Sequence, residues 1–108
     1  MIDLPNLRSQ VEDTARTVGY FLKTQQSTFS DERVSLKSLN ALVSDVDKNA
    51  EELLVSKLSN LLPEAGFLTE EGTVDQNTTT NYYWVIDPLD GTTNFVHGLP
   101  IFSLSIAL

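Results

Sequence analysis

The sequence predicts an α+β fold in which helices are layered on sheets. Three observations lead there. Two stretches repeat apolar residues at intervals of three and four, one run of aromatic and β-branched residues is continuous, and the last segment alternates bulky with small side chains. The first pattern has the period of a helix; the other two belong to strands. With 108 residues, 41% of them hydrophobic, the chain can bury one small core.

Taken in order, Leu4, Leu7, Val11, Ala15, Val18, Phe21 and Leu22 share one helical face. Asp3 is the expected N-cap, and Pro5 is tolerated in the first turn, where its missing N–H costs nothing. From Gln25 to Leu36 the pattern fades, which reads as a loop or short irregular strand. A second helix is expected from about Val46 to Leu62, with Val46, Ala50, Leu53, Leu54, Leu58, Leu61 and Leu62 buried. Ser44 and Asp47 have capping-box spacing at its start, and Pro63 marks its end. Gly66 to Leu68 reads as a short strand leading into Glu70 and Glu71. Thr73 to Asn81, rich in Thr and Asn, reads as a loop.

Tyr82 to Ile86 reads as a strand buried on both faces, ending at Asp87 and Pro88. Trp84, Tyr82 and Tyr83 are then core residues on either side of it. In the last segment Phe102, Leu104, Ile106 and Leu108 face one way, and Ser103, Ser105 and Ala107 the other. Such a strand, ending at Leu108 with an apolar face and an open edge, leads us to expect that the chain continues. Residues 1–108 thus read as the N-terminal part of one domain.

The charge balance bears on function. There are 15 acidic and 7 basic residues, a formal net charge of -8. Such a chain repels polyanions, so neither nucleic acid nor an anionic membrane is an expected partner. With no cysteine, disulfides, thiolate zinc sites and cysteine nucleophiles are excluded. No basic segment followed by an apolar run opens the chain, and no apolar stretch is long enough to span a bilayer, so the expected compartment is the cytoplasm. Asn77, Thr78 and Thr79 match a glycosylation sequon and read here as polar loop.

The chemistry concentrates in Asp87-Pro88-Leu89-Asp90-Gly91-Thr92-Thr93-Asn94. Asp87 and Asp90 stand just past a strand, where α/β folds place ligands, and the turn is expected to bring them to a shared point with the Leu89 carbonyl. These are hard oxygen donors, suited to magnesium rather than zinc. Gly91 permits close backbone approach. Thr92 and Thr93 look like a helix start, whose free N–H groups hold a phosphate. Few Lys or Arg lie nearby, so a metal ion is the natural source of positive charge for an anionic substrate. The five residues Asp87 to Gly91 alone are also a good turn sequence. The preceding strand, the Thr-Thr-Asn-Phe that follows and the upstream Glu pair go beyond turn chemistry.

Trp84 to Phe95 closely resembles the signature of the inositol monophosphatase family. Val96 to Pro100, the pair Glu70 and Glu71, and Asp47 extend the likeness over nearly the whole chain, which corresponds to roughly the first half of a typical member. The resemblance implies layered helices and mixed sheets, Mg2+ as cofactor, a homodimer, and hydrolysis of a phosphate monoester. It implies Glu70, Asp87 and Asp90 as side-chain metal ligands, and Leu89 as a ligand through its carbonyl. Gly91 and Thr92 match positions whose N–H groups meet the phosphate. Thr92 and Glu70 resemble the pair that orients and activates the attacking water. Asp47 stays open between a carboxylate that supports the metal ligands or a weaker metal, and a helix-start residue. Thr69 stands where many members have Gly. The family takes a further aspartate ligand and its sugar-recognising residues from the C-terminal half.

Within the family the residues after Gly91 resemble inositol 1-phosphatases most. Enzymes acting on 3'-phosphoadenosine 5'-phosphate, histidinol phosphate or fructose 1,6-bisphosphate are the alternatives, as is a non-catalytic module that binds metal or pairs through its last strand. His97, the one histidine, has no Ser or Cys paired with it and reads as structural or at the site rim. Glu51 and Glu52 read as a solvated face.

Overall fold

A computed structural model of the chain describes residues 2–29 and 36–108. Helix α1 runs over Leu4–Gln26 and passes into a short 3-10 turn, Ser27–Phe29. Helix α2 spans Leu36–Leu61, strand β1 Gly66–Thr69, strand β2 Tyr83–Asp90, helix α3 Thr92–Val96 and strand β3 Ser103–Ala107. The strands form one mixed sheet in the order β1-β2-β3, with β1 parallel and β3 antiparallel to β2. This is the expected α+β arrangement.

Helix α1 starts as its sequence directs. Asp3 is the N-cap, its side chain accepts the Asn6 N–H at 3.2 Å, and Pro5 lies in the first turn. Leu7, Val18 and Leu22 are buried along the apolar stripe, whereas Leu4 is 60% exposed at the helix start. The expected loop from Gln25 begins inside α1 and the 3-10 turn. Its central part, 30–35, lies outside the described residues.

Helix α2 begins at Leu36, well before Val46. Ser44 and Asp47 are therefore helix-interior residues, and the expected capping box is not formed. Leu39, Val43, Val46 and Ala50 already follow the three-and-four spacing, and their burial outweighs the weak helix preference of the Ser and Asn between them. The buried stripe continues through Leu54, Leu58 and Leu62. Against it pack Val18 and Leu22 of α1, Phe67 of β1, Trp84, Ile86 and Leu89 of β2, and Phe95 of α3. Phe95 meets Phe102 edge-on, with ring centroids 5.1 Å apart.

Strand β2 is not buried on both faces. Trp84 and Ile86 are 2% exposed, but Val85 is 42% and Tyr82 43% exposed. The helices bury alternate side chains, and the pleat turns the others outward. Leu68, Val85 and Ala107, paired across the three strands, make that outward row. On β3 the expected alternation holds: Leu104 and Ile106 are half-buried, and Ser103, Ser105 and Ala107 are exposed.

Candidate metal and phosphate site

Strand β2 continues past Ile86 to Asp90. It does so by bulging. Asp87 pairs with Ser105 and Asp90 with Ser103, so three steps along β2 match two along β3. An extra residue of this kind bends a strand and re-aims its side chains. Here Pro88 and Leu89 are buried side by side, Asp87 is half-buried, and Asp90 is exposed. The Leu89 N–H donates to Asp87 Oδ1 at 3.3 Å, which restrains that carboxylate at the bulge. With its side chain in the core, Leu89 has its backbone carbonyl to offer a cation.

The chain then turns at Gly91, which is left-handed at φ 90°. A Cβ there would lie 3.0 Å from the Ile101 carbonyl oxygen, so glycine suits both the conformation and the space. Thr92 opens α3 as expected, and no side chain caps the N–H groups of this start. The helix has five residues, so the backbone N–H groups rather than a macrodipole are its attraction for an anion.

Glu70 and Glu71 follow β1. The Glu70 N–H donates to the Ile86 carbonyl at 3.3 Å, which brings the pair beside Asp87. Thr69 takes no unusual conformation: every positive φ among the described residues belongs to a glycine. Its hydroxyl accepts the Gly72 N–H at 3.2 Å and supports the turn after the pair.

Asp47 lies on the face of α2 that looks toward these groups. Burial and the charges of Glu71, Asp87, Glu51 and Glu70 push its carboxyl up to about 7. Its Oδ1 is buried without a hydrogen-bond partner. Glu71 is also raised, by burial and by Glu51 and Glu70, against a smaller opposing effect of Lys48. Negative charge is thus gathered here, and among the described residues Lys48 is the basic group that opposes it at Glu71. That electrostatic setting and the oxygen donors fit a hard divalent cation. The side chains alone do not enclose one: among the described residues no three His, Asp or Glu are grouped to hold a metal ion. Asp87 and Asp90 stand at the two ends of the bulge, the first half-buried and the second exposed.

Glu51 corrects the sequence reading. It is fully buried, not solvated; Glu52 is exposed as expected. Glu51 Oε1 accepts the Glu71 N–H at 2.7 Å, and Oε2 accepts the Thr73 N–H at 2.8 Å and the Thr73 hydroxyl at 2.5 Å. The signal was its spacing, four residues after Asp47 and three before Leu54, on the buried stripe. His97 is exposed just after α3. Among the described residues no helix is long and apolar enough to cross a membrane.

The family model for the inositol monophosphatase family matches residues 3–108. The chain belongs to the inositol monophosphatase family. It is 46% identical over 76 residues to an inositol-1-monophosphatase of Mesorhizobium japonicum, covering 70% of this chain and 29% of that protein. It is 40% identical over 94 residues to the Nus factor SuhB of Pasteurella multocida, covering 87% of this chain and 35% of that protein. The inositol monophosphatase II structure from Staphylococcus aureus superposes with a TM-score of 0.74 at 30% identity, over 94% of this chain and 36% of that one. This member of the family spans about a third of the length of the curated relatives it matches.

Proposed function

We propose that the native protein hydrolyses a phosphate monoester with the help of magnesium, and that inositol 1-phosphate is its substrate. The observation that carries this reading is the β2 bulge running into Gly91 and α3. It supplies Asp87, the Leu89 carbonyl, Asp90 and the first N–H groups of a helix within one short segment. The relatives named inositol-1-monophosphatase support the substrate.

In this reading Glu70, Asp87, Asp90 and the Leu89 carbonyl hold the magnesium, with Asp47 behind them. Magnesium bound there would supply positive charge for the phosphate and lower the pKa of an attacking water. The chain's own groups do the rest. Gly91 and Thr92 N–H groups hold the phosphate in line. Glu70 and the Thr92 hydroxyl orient the attacking water, and the Glu70 carboxylate takes up its proton. The two aspartates are three apart with Pro88 between them, unlike the Asp-x-Asp pair of phosphatases that form a covalent phosphoenzyme. A cytoplasmic homodimer belongs to the same reading.

A second reading, a binding role without catalysis, draws on the relatives named Nus factor SuhB. The deciding experiment is phosphate release by the full-length native protein from inositol 1-phosphate, beside 3'-phosphoadenosine 5'-phosphate, with magnesium and with a chelator. Magnesium-dependent release favouring inositol 1-phosphate supports the first reading. No release from either ester by folded protein overturns it in favour of the second.

A further inference from the structure

We infer that Glu51 is a positioning residue, setting the Glu70 carboxylate for its metal through the backbone of the loop that follows. The inference rests on the proposed function, and three observations carry it.

Glu51 is a fully buried acidic side chain in the middle of α2, among Leu54, Leu58 and Ala50. Burying a carboxylate is costly unless every lone pair it exposes finds a donor. Among the described residues, the three hydrogen bonds that Glu51 accepts come from one loop: the Glu71 N–H, the Thr73 N–H and the Thr73 hydroxyl. A carboxylate that takes such bonds is suited to fixing a backbone path, because hydrogen bonds to charged acceptors are roughly twice as strong as neutral ones.

That path includes Glu70. On one side the Glu70 N–H is tied to the Ile86 carbonyl, the residue before Asp87. On the other, the next peptide N–H, that of Glu71, is tied to Glu51. Glu70 itself is exposed, so its side chain gets little packing support. Its direction is therefore set by the two peptides that flank it. The tether also crosses the fold: α2 carries Asp47 one turn before Glu51, so one helix face would place both Asp47 and the Glu70 loop relative to β2.

Substitution of Glu51→Gln preserves shape and volume but turns one acceptor into an NH2 donor, which then faces an N–H or O–H donor. Outer partners of metal ligands typically change metal affinity by about 10- to 100-fold. For the full-length native protein we expect Glu51→Gln to raise the magnesium midpoint of activity at least about 10-fold. The magnesium-induced rise in melting temperature should shift to higher metal concentration by a similar factor. KM at saturating magnesium should stay within about 2-fold. Amide hydrogen exchange of 70–74 in metal-free protein should speed up while α1 stays protected. If Glu51→Gln does not fold, Thr73→Val, which removes one bond and keeps the backbone pair, should show smaller shifts in the same direction.

Wild-type protein that responds to magnesium, with either folded variant responding at the same concentration, overturns the positioning role even if exchange of 70–74 is faster. Wild-type protein that responds to magnesium in neither activity nor melting overturns the functional reading and this inference with it.

Discussion

The side-chain amide of Gln26, at the C-terminal end of α1, donates to the Phe95 carbonyl of α3 at 3.2 Å. The same nitrogen reaches the Leu99 carbonyl at 2.9 Å. A residue at the end of the first helix thereby holds the turn that follows α3. Replacing Gln26 with Ala is expected to lower stability by about 1 kcal/mol, the usual net worth of such bonds. Urea unfolding of the full-length native protein measures this; a variant as stable as wild type would show that the tether is dispensable.

Gly91 is poorly open to substitution. An alanine there would have to hold φ at 90° and bring its Cβ within 3.2 Å of Phe102 Cα as well as against the Ile101 carbonyl. Backbone strain of this kind costs about 1–3 kcal/mol. Gly91→Ala should unfold at lower urea by that amount and lose at least about 10-fold in turnover, because the same backbone presents the N–H groups. A variant with normal stability would mean that the left-handed turn is not required.

Asp90 is exposed, so Asp90→Asn should leave the melting temperature within a few degrees. Turnover in saturating magnesium should nevertheless fall by at least about 100-fold, since a charged ligand is replaced by a neutral one. Near-wild-type turnover would remove Asp90 from the proposed site and weaken the functional reading.

Asp47 gives the metal-free protein a pH dependence. Its carboxyl sits at about 7 when folded, against an ordinary 3.8. Between those values the folded state binds more protons than the unfolded one, so this group's contribution to stability falls as pH rises. It is full below the unfolded value and lost above the folded one. Glu71 is raised too and acts in the same direction. Because Asp47 is part-exposed, solvent screening reduces the effect to about 1–2 kcal/mol. Urea unfolding in chelator should show the stability advantage of Asp47→Asn over wild type growing by that amount from near pH 4 to near pH 8. A difference that is constant across this range would show that Asp47 ionises normally.

Most of the elements and the candidate chemistry were legible in the chain as written. The period of Leu7, Val18 and Leu22, the cap at Asp3, the alternation on β3 and the run from Asp87 to Thr92 are local patterns, written by residues close together in the chain. What escaped was decided at a distance. Helix α2 reaches back to Leu36 because Val43 and Val46 find a core to bury against, which overrides the local polarity around Ser44. β2 runs on through Pro88 because β3 accommodates the extra residue as a bulge. That bulge also gives the two aspartates different settings, Asp87 half-buried and Asp90 exposed. The largest change of reading is Glu51. As one of two adjacent glutamates it resembles a solvated face; folded, it is buried because α2 turns it toward the peptides of Glu71 and Thr73. The type of a side chain is a local fact, whereas the donors that make its burial tolerable come from a segment 20 and 22 residues further along the chain. Only tertiary structure can bring them to it.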